Sequence, residues 1–421
     1  MLKQVEGSVA TAEAIALCRP EVICAYPITP QTHIVEGLGR LVRTGELKNC
    51  EFINVESEFG ALSACIGSSA AGARTYTATA SQGLLFMCEA VYNASGMGLP
   101  IVMTLGTRAI GAPINIWNDH SDAMSMRDAG WMQLFAESNQ ESIDLHIQAF
   151  KLAEELSMPV MVCVDGFILT HAVERVDVPD QADVDAFLPP YDPVQVVDPK
   201  EPISIGSMVG PDAFTEVRYL QNYKQDMALK LIPKLAEEFK AHFGRNSGGL
   251  LRTYRAEDAD MLIVAMGSIN GTIKDTIDEM RDDGFSVGLV TLVSFRPFPT
   301  EALRAALSRA GHVVVVEKSF ANGMGGQLAN NVDLALRNMA GAPHVHSVIA
   351  GLGGRPILRS SLRKIFRRAA EKPWSGMHFL DLNEAVVAKE IQNVSSRRRS
   401  GPTAENILRH LSTESVPPAA E

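Results

Sequence analysis

The sequence predicts an α/β protein built from two parallel sheets with helices on both faces. Short β-rich runs alternate with helical stretches between residues 22 and 166, and a second alternation of the same kind runs from 259 to 351. Alternation of strands and helices favours parallel strands joined by helical crossovers. A proline-rich segment, 184–207, separates the two regions and is not expected to form a regular element.

The first region contains five predicted strands. In order they are VICAYP (22–27), EFINVE (51–56), RTYTATA (74–80), IVMTLG (101–106) and PVMVCVDG (159–166). The predicted helices between them cover 31–42, 57–72, 83–95 and 141–156, and a long loop follows the fourth strand through Asp128. The last helix is amphipathic, because Ile143, Ile147 and Phe150 fall near one face.

The second region continues the pattern after a connecting arm. A helix of about thirty residues is predicted at 213–244, with Pro233 as the expected position of a kink. Strands are predicted at 259–268, 286–293, 312–319 and 345–351, and helices at 271–283, 300–310 and 326–338. The tail is expected to be weakly ordered, with a short helix at 404–411. The predicted domains are therefore 1–183, 184–250 (arm and long helix), 251–390 and 391–421.

Composition narrows the function classes. The chain has 421 residues and a formal net charge of −11, which disfavours general nucleic-acid binding because phosphate contacts need clustered cations. None of the six cysteines forms a C-x-x-C pair, so no zinc or iron–sulfur motif is present in the sequence. No apolar run approaches the ~18 residues of a membrane span. We expect a cytoplasmic protein with reduced thiols.

Polar residues follow the predicted strands of the first region. In strand order they are Thr29, then Glu56 and Glu58, then Ser81 and Gln82, then Arg108, and last Asp165. Ligands of open parallel sheets bind at the carboxyl ends of the strands. Because these residues share one predicted edge, the sequence predicts a ligand site there.

Each candidate also has a structural interpretation. Thr29 before Pro30 is a suitable helix N-cap, Glu58 could favour a helix dipole, and Arg108 could form a surface ion pair. Pro27, however, is not needed for a cap, and two prolines around Thr29 favour a rigid turn that positions a ligand.

Three further motifs are interpreted more simply. The loop 115–131 carries Asp119, His120 and Asp122 in no standard metal-ligand spacing, and we interpret it as a lid or a partner contact. The turn ANGMGGQLAN (321–330) precedes a helix and is interpreted as an anion-binding turn. The cations of 363–368 are expected to form a solvated or partner-facing helix face.

Four motifs together resemble one known family. They are AYPITPQTHIVE, NVESEFGALSACIGSSAAGARTYTATASQGL, GTRAIGAPINIWNDHSD and SFRPFPTEAL. The chain, from its start to about residue 385, is similar to the alpha subunit of multi-subunit 2-oxoacid:ferredoxin oxidoreductases, of which the pyruvate enzyme is the best-known member. The resemblance implies a pyrimidine-binding thiamine-enzyme domain followed by a transketolase C-terminal-like α/β domain.

The resemblance also implies the cofactors and partners. Thiamine diphosphate would be shared with a beta subunit that carries the diphosphate and Mg²⁺ site, since this sequence contains no G-D-G motif. Gamma and ferredoxin-like delta subunits would carry iron–sulfur clusters, and coenzyme A would take the acyl group. The chain alone is therefore expected to be inactive.

Site residues follow from the matching motifs. Glu58 would face the aminopyrimidine ring of the cofactor, with Glu56 in reserve. Thr29 would donate a hydrogen bond to the substrate, and Arg108 would pair with the substrate carboxylate through two parallel hydrogen bonds. The four residues Pro27, Ile28, Ser81 and Gln82 are expected to contact the cofactor. No metal ligand is expected in this chain.

Substrate and acceptor stay open at this level. Pyruvate is expected, with branched-chain or aryl 2-oxoacids such as phenylglyoxylate as alternatives. Ferredoxin is the expected acceptor, and NAD would require a flavin-bearing partner. The competing hypotheses are a non-catalytic docking or regulatory subunit and a self-sufficient thiamine enzyme.

Overall fold

The structure is a computed structural model that describes residues 1–395 and 402–414. Its first region begins with a strand and helix that sequence analysis did not predict. The elements up to residue 187 are β1 (Leu2–Glu6), α1 (Gly7–Leu17), β2 (Val22–Ala25), α2 (Thr32–Arg43), β3 (Glu51–Asn54), α3 (Glu58–Ala70), β4 (Thr75–Thr79), α4 (Ser81–Phe86), α5 (Cys88–Gly96), β5 (Ile101–Thr107), α6 (Ser121–Ser125), β6 (Met132–Phe135), α7 (Asn139–Leu156), β7 (Val160–Asp165), β8 (Val173–Asp177) and α8 (Gln181–Phe187).

The remaining elements begin with the long helix. They are α9 (Phe214–Phe243), β9 (Leu251–Tyr254), β10 (Met261–Ala265), α10 (Ile269–Asp282), β11 (Val287–Leu292), β12 (Ser294–Arg296), α11 (Thr300–Leu307), β13 (His312–Glu317), α12 (Gln327–Leu336), β14 (His344–Ile349), a 3₁₀ turn (Leu352–Gly354), α13 (Arg359–Glu371), β15 (Met377–Phe379), α14 (Glu384–Ser395) and α15 (Thr403–Glu414). The predicted α/β class is confirmed.

The main sheet has seven strands in the order β12-β6-β7-β5-β4-β2-β3. Strands β2 to β7 run parallel to their neighbours in it, so their carboxyl ends share one edge. Every residue of β4, β5 and β7 is buried, as expected for strands covered by helices on both faces. The edge strand β12 comes from the second region of the chain and pairs antiparallel with β6.

The second sheet has six strands in the order β15-β14-β13-β10-β11-β9. Its strands β10, β11, β13 and β14 are parallel, and β9, which the sequence did not predict, pairs antiparallel with β11. The main sheet and strands β9 to β14 of the second sheet belong to one compact unit, Met1–His378. The shared strand β12 joins the two regions within that unit.

Serine caps explain where two helices of the first region begin. The Ser57 side chain accepts a hydrogen bond from Gly60 N at 3.1 Å at the start of α3. Ser138 accepts one from Glu141 N at 3.2 Å at the start of α7. Such caps satisfy amide groups that have no partner within the helix.

The long helix α9 packs one side of its second half on the first region. Its buried residues are Ala228, Ile232, Leu235 and Phe239. Pro233 falls within the span of the helix. Their spacing of three and four residues places them on one face. The helix runs from Phe214 to Phe243 and does not end at Pro233.

The second compact unit is Phe379–Glu421, of which 396–401 and 415–421 lie outside the described residues. Its helices α14 and α15 are joined by a hydrogen bond from Asn406 Nδ2 to Glu390 Oε2, at 3.3 Å. The helix expected at 404–411 falls within α15. Within the described part of the chain, no helix combines the length and apolarity needed to span a membrane.

Candidate active site

Glu58 is the first residue of α3, which follows the carboxyl end of β3. It is only 8% exposed, and among the described residues its carboxylate has no hydrogen-bond or ion-pair partner. A Cβ added at Gly83 would lie 2.7 Å from Glu58 Oε1 and 2.6 Å from Thr79 Oγ1. The Thr79 hydroxyl is buried and likewise has no hydrogen-bond partner in the described part of the chain. Because Gly83 has no side chain, there is space beside it for the Glu58 carboxyl and the Thr79 hydroxyl. Neither group has a hydrogen-bond partner among the described residues.

Glu56 occupies a different environment. It is exposed, and its Oε1 lies 3.0 Å from the position of a Cβ on Gly60, in the first turn of α3. Of the two acids after β3, only Glu58 is therefore enclosed.

Arg108 and Thr29 meet at the same edge. Arg108 is 5% exposed, and its Nη1 donates to the Thr29 carbonyl at 2.9 Å while its Nε donates to Asn115 O at 3.1 Å. Burial lowers the pKa of the Arg108 guanidinium, and the neighbouring Asp122 opposes that shift. The Thr29 side chain is exposed. Because α2 begins at Thr32 with Gln31 before it, the N-cap interpretation of Thr29 is wrong.

Gln31 fixes the turn that carries Thr29, and sequence analysis missed this role. Gln31 is fully buried, and its Nε2 donates to Tyr26 O at 3.0 Å and to Ala78 O at 3.3 Å. Pro30 packs against Gly166, where an added Cβ would lie 2.5 Å from Pro30 Cγ. Side-chain hydrogen bonds and proline packing therefore hold this turn together.

Pro27 and Ile28 lie on the outer side of that turn. Pro27 is exposed and Ile28 is half-buried. The Ile28 carbonyl accepts a hydrogen bond from Gln31 N at 2.9 Å. Both residues therefore lie in the turn that contacts Arg108.

Ser81 and Gln82 join the turn after β4 to the one after β5. Ser81 is fully buried, and its hydroxyl donates to Ala109 O at 2.5 Å. Gln82 is half-buried, and its Nε2 lies 2.7 Å from the position of a Cβ on Gly111. Ser81 thus connects two loops, whereas Gln82 lies against the Gly111 backbone.

The Asp122 side chain links these two loops through hydrogen bonds to their backbone amides. Its Oδ2 accepts from Ser81 N at 2.9 Å and from Arg108 N at 3.0 Å, and its Oδ1 accepts from Ala123 N at 2.8 Å. Burial raises its pKa to about 8, although these backbone hydrogen bonds oppose the shift. Sequence analysis interpreted the loop 115–131 as a lid or a partner contact. Asp119, His120 and Asp122 of that loop are buried, whereas Trp117 is 54% exposed.

Asp165 lies at the same sheet edge but inside a closed polar network. Its Oδ1 lies 2.7 Å from His120 Nε2, and its Oδ2 accepts from Lys318 Nζ at 2.9 Å and from Ser268 Oγ at 2.5 Å. Burial alone would raise the pKa of Asp165, but Lys318 and His120 lower it well below its ordinary value. This network ties the first region to the second and leaves Asp165 no free oxygen for a ligand.

The turn at 321–326 is likewise closed. Glu317 accepts from Leu328 N at 2.7 Å and from Ala329 N at 3.0 Å at the start of α12. Burial raises the pKa of Glu317 to about 7, and these hydrogen bonds oppose the shift. The anion-binding interpretation of this turn is wrong, because a carboxylate of the chain itself occupies the helix terminus.

The cations of α13 are paired with acids of α10. Arg363 donates to Glu279 at 3.1 Å and to Asp283 at 2.6 Å, and Arg367 donates to Asp283 at 3.0 Å. Half-exposed ion pairs of this kind fit the expected solvated helix face.

Family models match both regions of the chain. A model described as "Pyruvate flavodoxin/ferredoxin oxidoreductase, thiamine diP-bdg" matches residues 13–237, and "Pyruvate:ferredoxin oxidoreductase core domain II" matches residues 259–361. Pyruvate synthase subunit PorA of Methanosarcina barkeri is 47% identical over 390 residues, covering 91% of this chain and 97% of that protein. The chain belongs to the 2-oxoacid:ferredoxin oxidoreductase family.

Other family members are similar over most of their length. PorA of Pyrococcus furiosus is 45% identical over 86% of this chain and 91% of that protein. Ketoisovalerate oxidoreductase subunit VorA of Pyrococcus abyssi is 40% identical over 86% of this chain and 92% of that protein. The family resemblance inferred from the four sequence motifs is confirmed, as is the thiamine-diphosphate-binding domain.

A solved family structure has the same fold. It is the 2-oxoglutarate:ferredoxin oxidoreductase of Magnetococcus marinus with 2-oxoglutarate, coenzyme A and succinyl-CoA bound. The TM-score is 0.68 at 18% identity, covering 87% of this chain and 65% of that chain. The present chain thus spans about two thirds of the solved polypeptide, and the likeness concerns the fold alone.

Proposed function

We propose that this chain is the alpha subunit of a pyruvate:ferredoxin oxidoreductase, in which Glu58 binds the aminopyrimidine of thiamine diphosphate and Arg108 with Thr29 orients the 2-oxoacid. The observation that supports the proposal is a chain of contacts that links the loops carrying these three residues. Arg108 contacts the Thr29 carbonyl, and Asp122 links Arg108 to the turn that holds Gly83 against Glu58.

Three features of the space beside Glu58 support its assignment to the pyrimidine half of the cofactor. This space offers an enclosed carboxylate and a buried Thr79 hydroxyl, both without a partner among the described residues, and a glycine in place of any side chain. An unpaired buried acceptor is costly unless a ligand supplies the donor. A ring nitrogen that donates to Glu58 would supply that hydrogen bond.

Glu58 would act by holding a proton. Bound thiamine diphosphate supplies the carbon nucleophile for attack on the 2-oxo group. Glu58, enclosed beside the ring nitrogen, would share a proton with it and so favour the ring tautomer that can act as a base. Such proton sharing is most effective where water is excluded.

Arg108 and Thr29 would orient the substrate. The Nη2 of Arg108 has no acceptor among the described residues, and the Thr29 hydroxyl has no hydrogen bond there either. A guanidinium edge donates two parallel hydrogen bonds to a carboxylate. The turn held by Gln31 fixes Thr29, whose carbonyl accepts from Arg108 Nη1, so the substrate would bind with little loss of conformational entropy.

The remaining half of the site would come from a partner. Phe59, one residue after Glu58, and Phe86 of α4 are 39% and 59% exposed, and their ring centroids lie 6.4 Å apart. An exposed apolar pair beside the site favours a protein interface there. A beta subunit would cover them and bind the diphosphate with Mg²⁺, while gamma and ferredoxin-like delta subunits would receive the electrons.

Pyruvate is the proposed substrate because of the relatives' names. Curated relatives at 44–47% identity are named pyruvate synthase subunits, and the ketoisovalerate subunit is 40% identical. The expected reaction is oxidative decarboxylation of pyruvate to acetyl-CoA, with electrons passed to iron–sulfur clusters of partner subunits.

The test is co-expression of this chain with its partner subunits. Purified complex is assayed for coenzyme A-dependent dye reduction with pyruvate, a branched-chain 2-oxoacid and phenylglyoxylate. We expect the highest kcat/KM with pyruvate and no turnover by the chain alone. A complex that assembles yet oxidises none of the three acids would instead identify a non-catalytic subunit, and turnover by the isolated chain would identify a self-sufficient enzyme.

A further inference from the structure

A cluster of one carboxylate and two imidazoles lies apart from the residues assigned above. Glu6, His33 and His171 each offer one ligand atom, and these atoms lie within 4.8 Å of one another. Among the residues that the structure describes, no other group of three histidines, cysteines or acids meets this spacing. We propose that Glu6, His33 and His171 bind one divalent transition-metal ion of the zinc, cobalt or nickel class.

Backbone hydrogen bonds bring Glu6 and His171 together. Glu6 ends β1, and it lies opposite Val173 in the antiparallel pair of β1 and β8. Just beyond it, Gly7 N donates to Ala172 O at 3.0 Å. The two ligands are therefore fixed by the main chain, as a metal site requires.

His33 completes the cluster from the first turn of α2. Its Nδ1 lies 2.6 Å from Glu6 Oε1, and its ring centroid lies 5.0 Å from that of His171. Side chains from three separate segments thus converge on one point.

His171 is held in the orientation of a metal ligand. Its Nδ1 lies 2.8 Å from Thr170 Oγ1, and that hydroxyl also accepts a hydrogen bond from Phe167 N at 2.8 Å. Metal-binding histidines commonly donate their second ring nitrogen to such an oxygen, which leaves the other nitrogen for the ion. With Nδ1 on Thr170, the Nε2 of His171 is the nitrogen left for the ion.

The spacing needs only a small adjustment to fit zinc. Ligands bound at about 2.0 Å in tetrahedral geometry lie about 3.3 Å apart. The contact between Glu6 and His33 is shorter and must widen, and the half-exposed side chains, 27% and 47% accessible, permit that movement. Two imidazoles and one carboxylate with a free fourth position for water suit zinc, cobalt or nickel better than calcium or magnesium.

A simpler interpretation of the cluster is a His33–Glu6 ion pair beside a stacked ring. The two interpretations differ in their response to metal. The purified full-length chain, freed of metal, is titrated with Zn²⁺ against a chromophoric chelator, and Co²⁺ is added to record its ligand-field absorption. We expect one ion per chain and a cobalt spectrum of low-symmetry coordination.

Variants assign the ion to the cluster. His33→Ala and His171→Ala are expected to weaken zinc binding by at least about 100-fold, and Glu6→Gln by at least about 10-fold. Glu6→Gln keeps a hydrogen-bonding side chain of equal size, so its metal-free melting temperature should match that of the parent. It therefore tests the proposal even where a histidine variant fails to fold.

The matched control is His344→Ala. His344 belongs to a separate ring cluster, 4.5 Å from the His346 ring centroid, and its loss should leave zinc affinity unchanged. The proposal is overturned if the chain binds no zinc at micromolar concentration, if Glu6→Gln binds as tightly as the parent, or if His344→Ala removes the binding.

Discussion

Two helix starts, one in each region of the chain, place a glutamate against a glycine. At Gly326 an added Cβ would lie 2.0 Å from Glu317 Oε1, and at Gly83 it would lie 2.7 Å from Glu58 Oε1. Glu317 accepts hydrogen bonds from two amides of its helix, whereas Glu58 has no partner among the described residues. The same local arrangement therefore gives two different carboxylates. Glu317 is hydrogen-bonded by its own helix, whereas Glu58 is free to accept a hydrogen bond from a ligand.

The contrast separates stability from function. A buried carboxylate with all its donors in place adds rigidity and binds nothing further. An enclosed carboxylate without donors costs free energy in the empty protein and is retained where a ligand provides the donor. Substitutions at the two helix starts should therefore have opposite effects on activity and on unfolding.

The strongest test of this contrast is Glu58→Gln in the assembled complex. The amide cannot take up a proton, so we expect kcat to fall by about 10²- to 10⁴-fold, the usual contribution of a proton-transferring side chain. The measurement is pyruvate-dependent dye reduction. Glu56→Gln is the matched control and should retain parental activity, because Glu56 is exposed. Equal losses in both variants would contradict the assignment.

The second test uses the pH dependence of stability. The pKa of Glu317 is raised from 4.5 to about 7, so the folded chain holds this proton more tightly than the unfolded chain. Its contribution to stability is full below pH 4.5 and is lost as pH rises through 7, by about 1.4 kcal/mol per unit of pKa shift.

Glu317→Gln removes that titration. The difference between the thermal midpoints of parent and variant, measured from pH 4.5 to 7.5, should change across this window, because only the parent loses stability as pH rises through 7. A constant difference between the two midpoints would show that Glu317 does not titrate there.

The third test adds a methyl group at Gly83 and at Gly326, where it would occupy the space next to each glutamate. Gly326→Ala pushes Glu317 from its two amides and should destabilise the chain by about 2 kcal/mol, an overpacking cost. Gly83→Ala displaces Glu58 and should lower kcat about tenfold or more in complex that remains assembled. Melting temperature and turnover are measured for both variants. A stability loss without an activity loss in Gly83→Ala would remove the functional distinction.

The smallest expected effect concerns the arginine on the open edge. Arg108→Lys replaces a two-pronged donor by one ammonium, and we expect kcat/KM for pyruvate to fall about tenfold, or about 1.4 kcal/mol. The substrate dependence of dye reduction measures it. A change below about twofold would exclude pairing with the substrate carboxylate.

The residues at the strand ends could be located from sequence. The contacts that join the loops carrying them could not. Thr29, Glu58 and Arg108 follow predicted strands, and parallel pairing places such residues on one edge. Asp122 was missed because its partners are backbone amides of distant loops, which leave no pattern in the sequence. The Asp165–Lys318 pair joins residues 153 apart along the chain, so only the folded contact reveals it.

The occupied turn at 321–326 is a more instructive error. Its glycines and following helix suggested an anion site, yet Glu317 stands at the end of the preceding strand, within reach of that helix. A carboxylate so placed is a signal that sequence reading could have used. The strand β6 was missed although its neighbour β7 was predicted; its other neighbour, β12, comes from the second region of the chain.

Strand β12, which the second region contributes to the main sheet, also limits where the polypeptide can be truncated. A fragment that stops near residue 250 would lose Ser294–Arg296 and uncover the hydrogen-bonding groups of β6 along Gln133 and Leu134. Uncovered strand edges recruit other chains and lead to aggregation. The thiamine-binding half of this subunit should therefore be produced only with the later sequence attached, or with that strand supplied as a separate peptide.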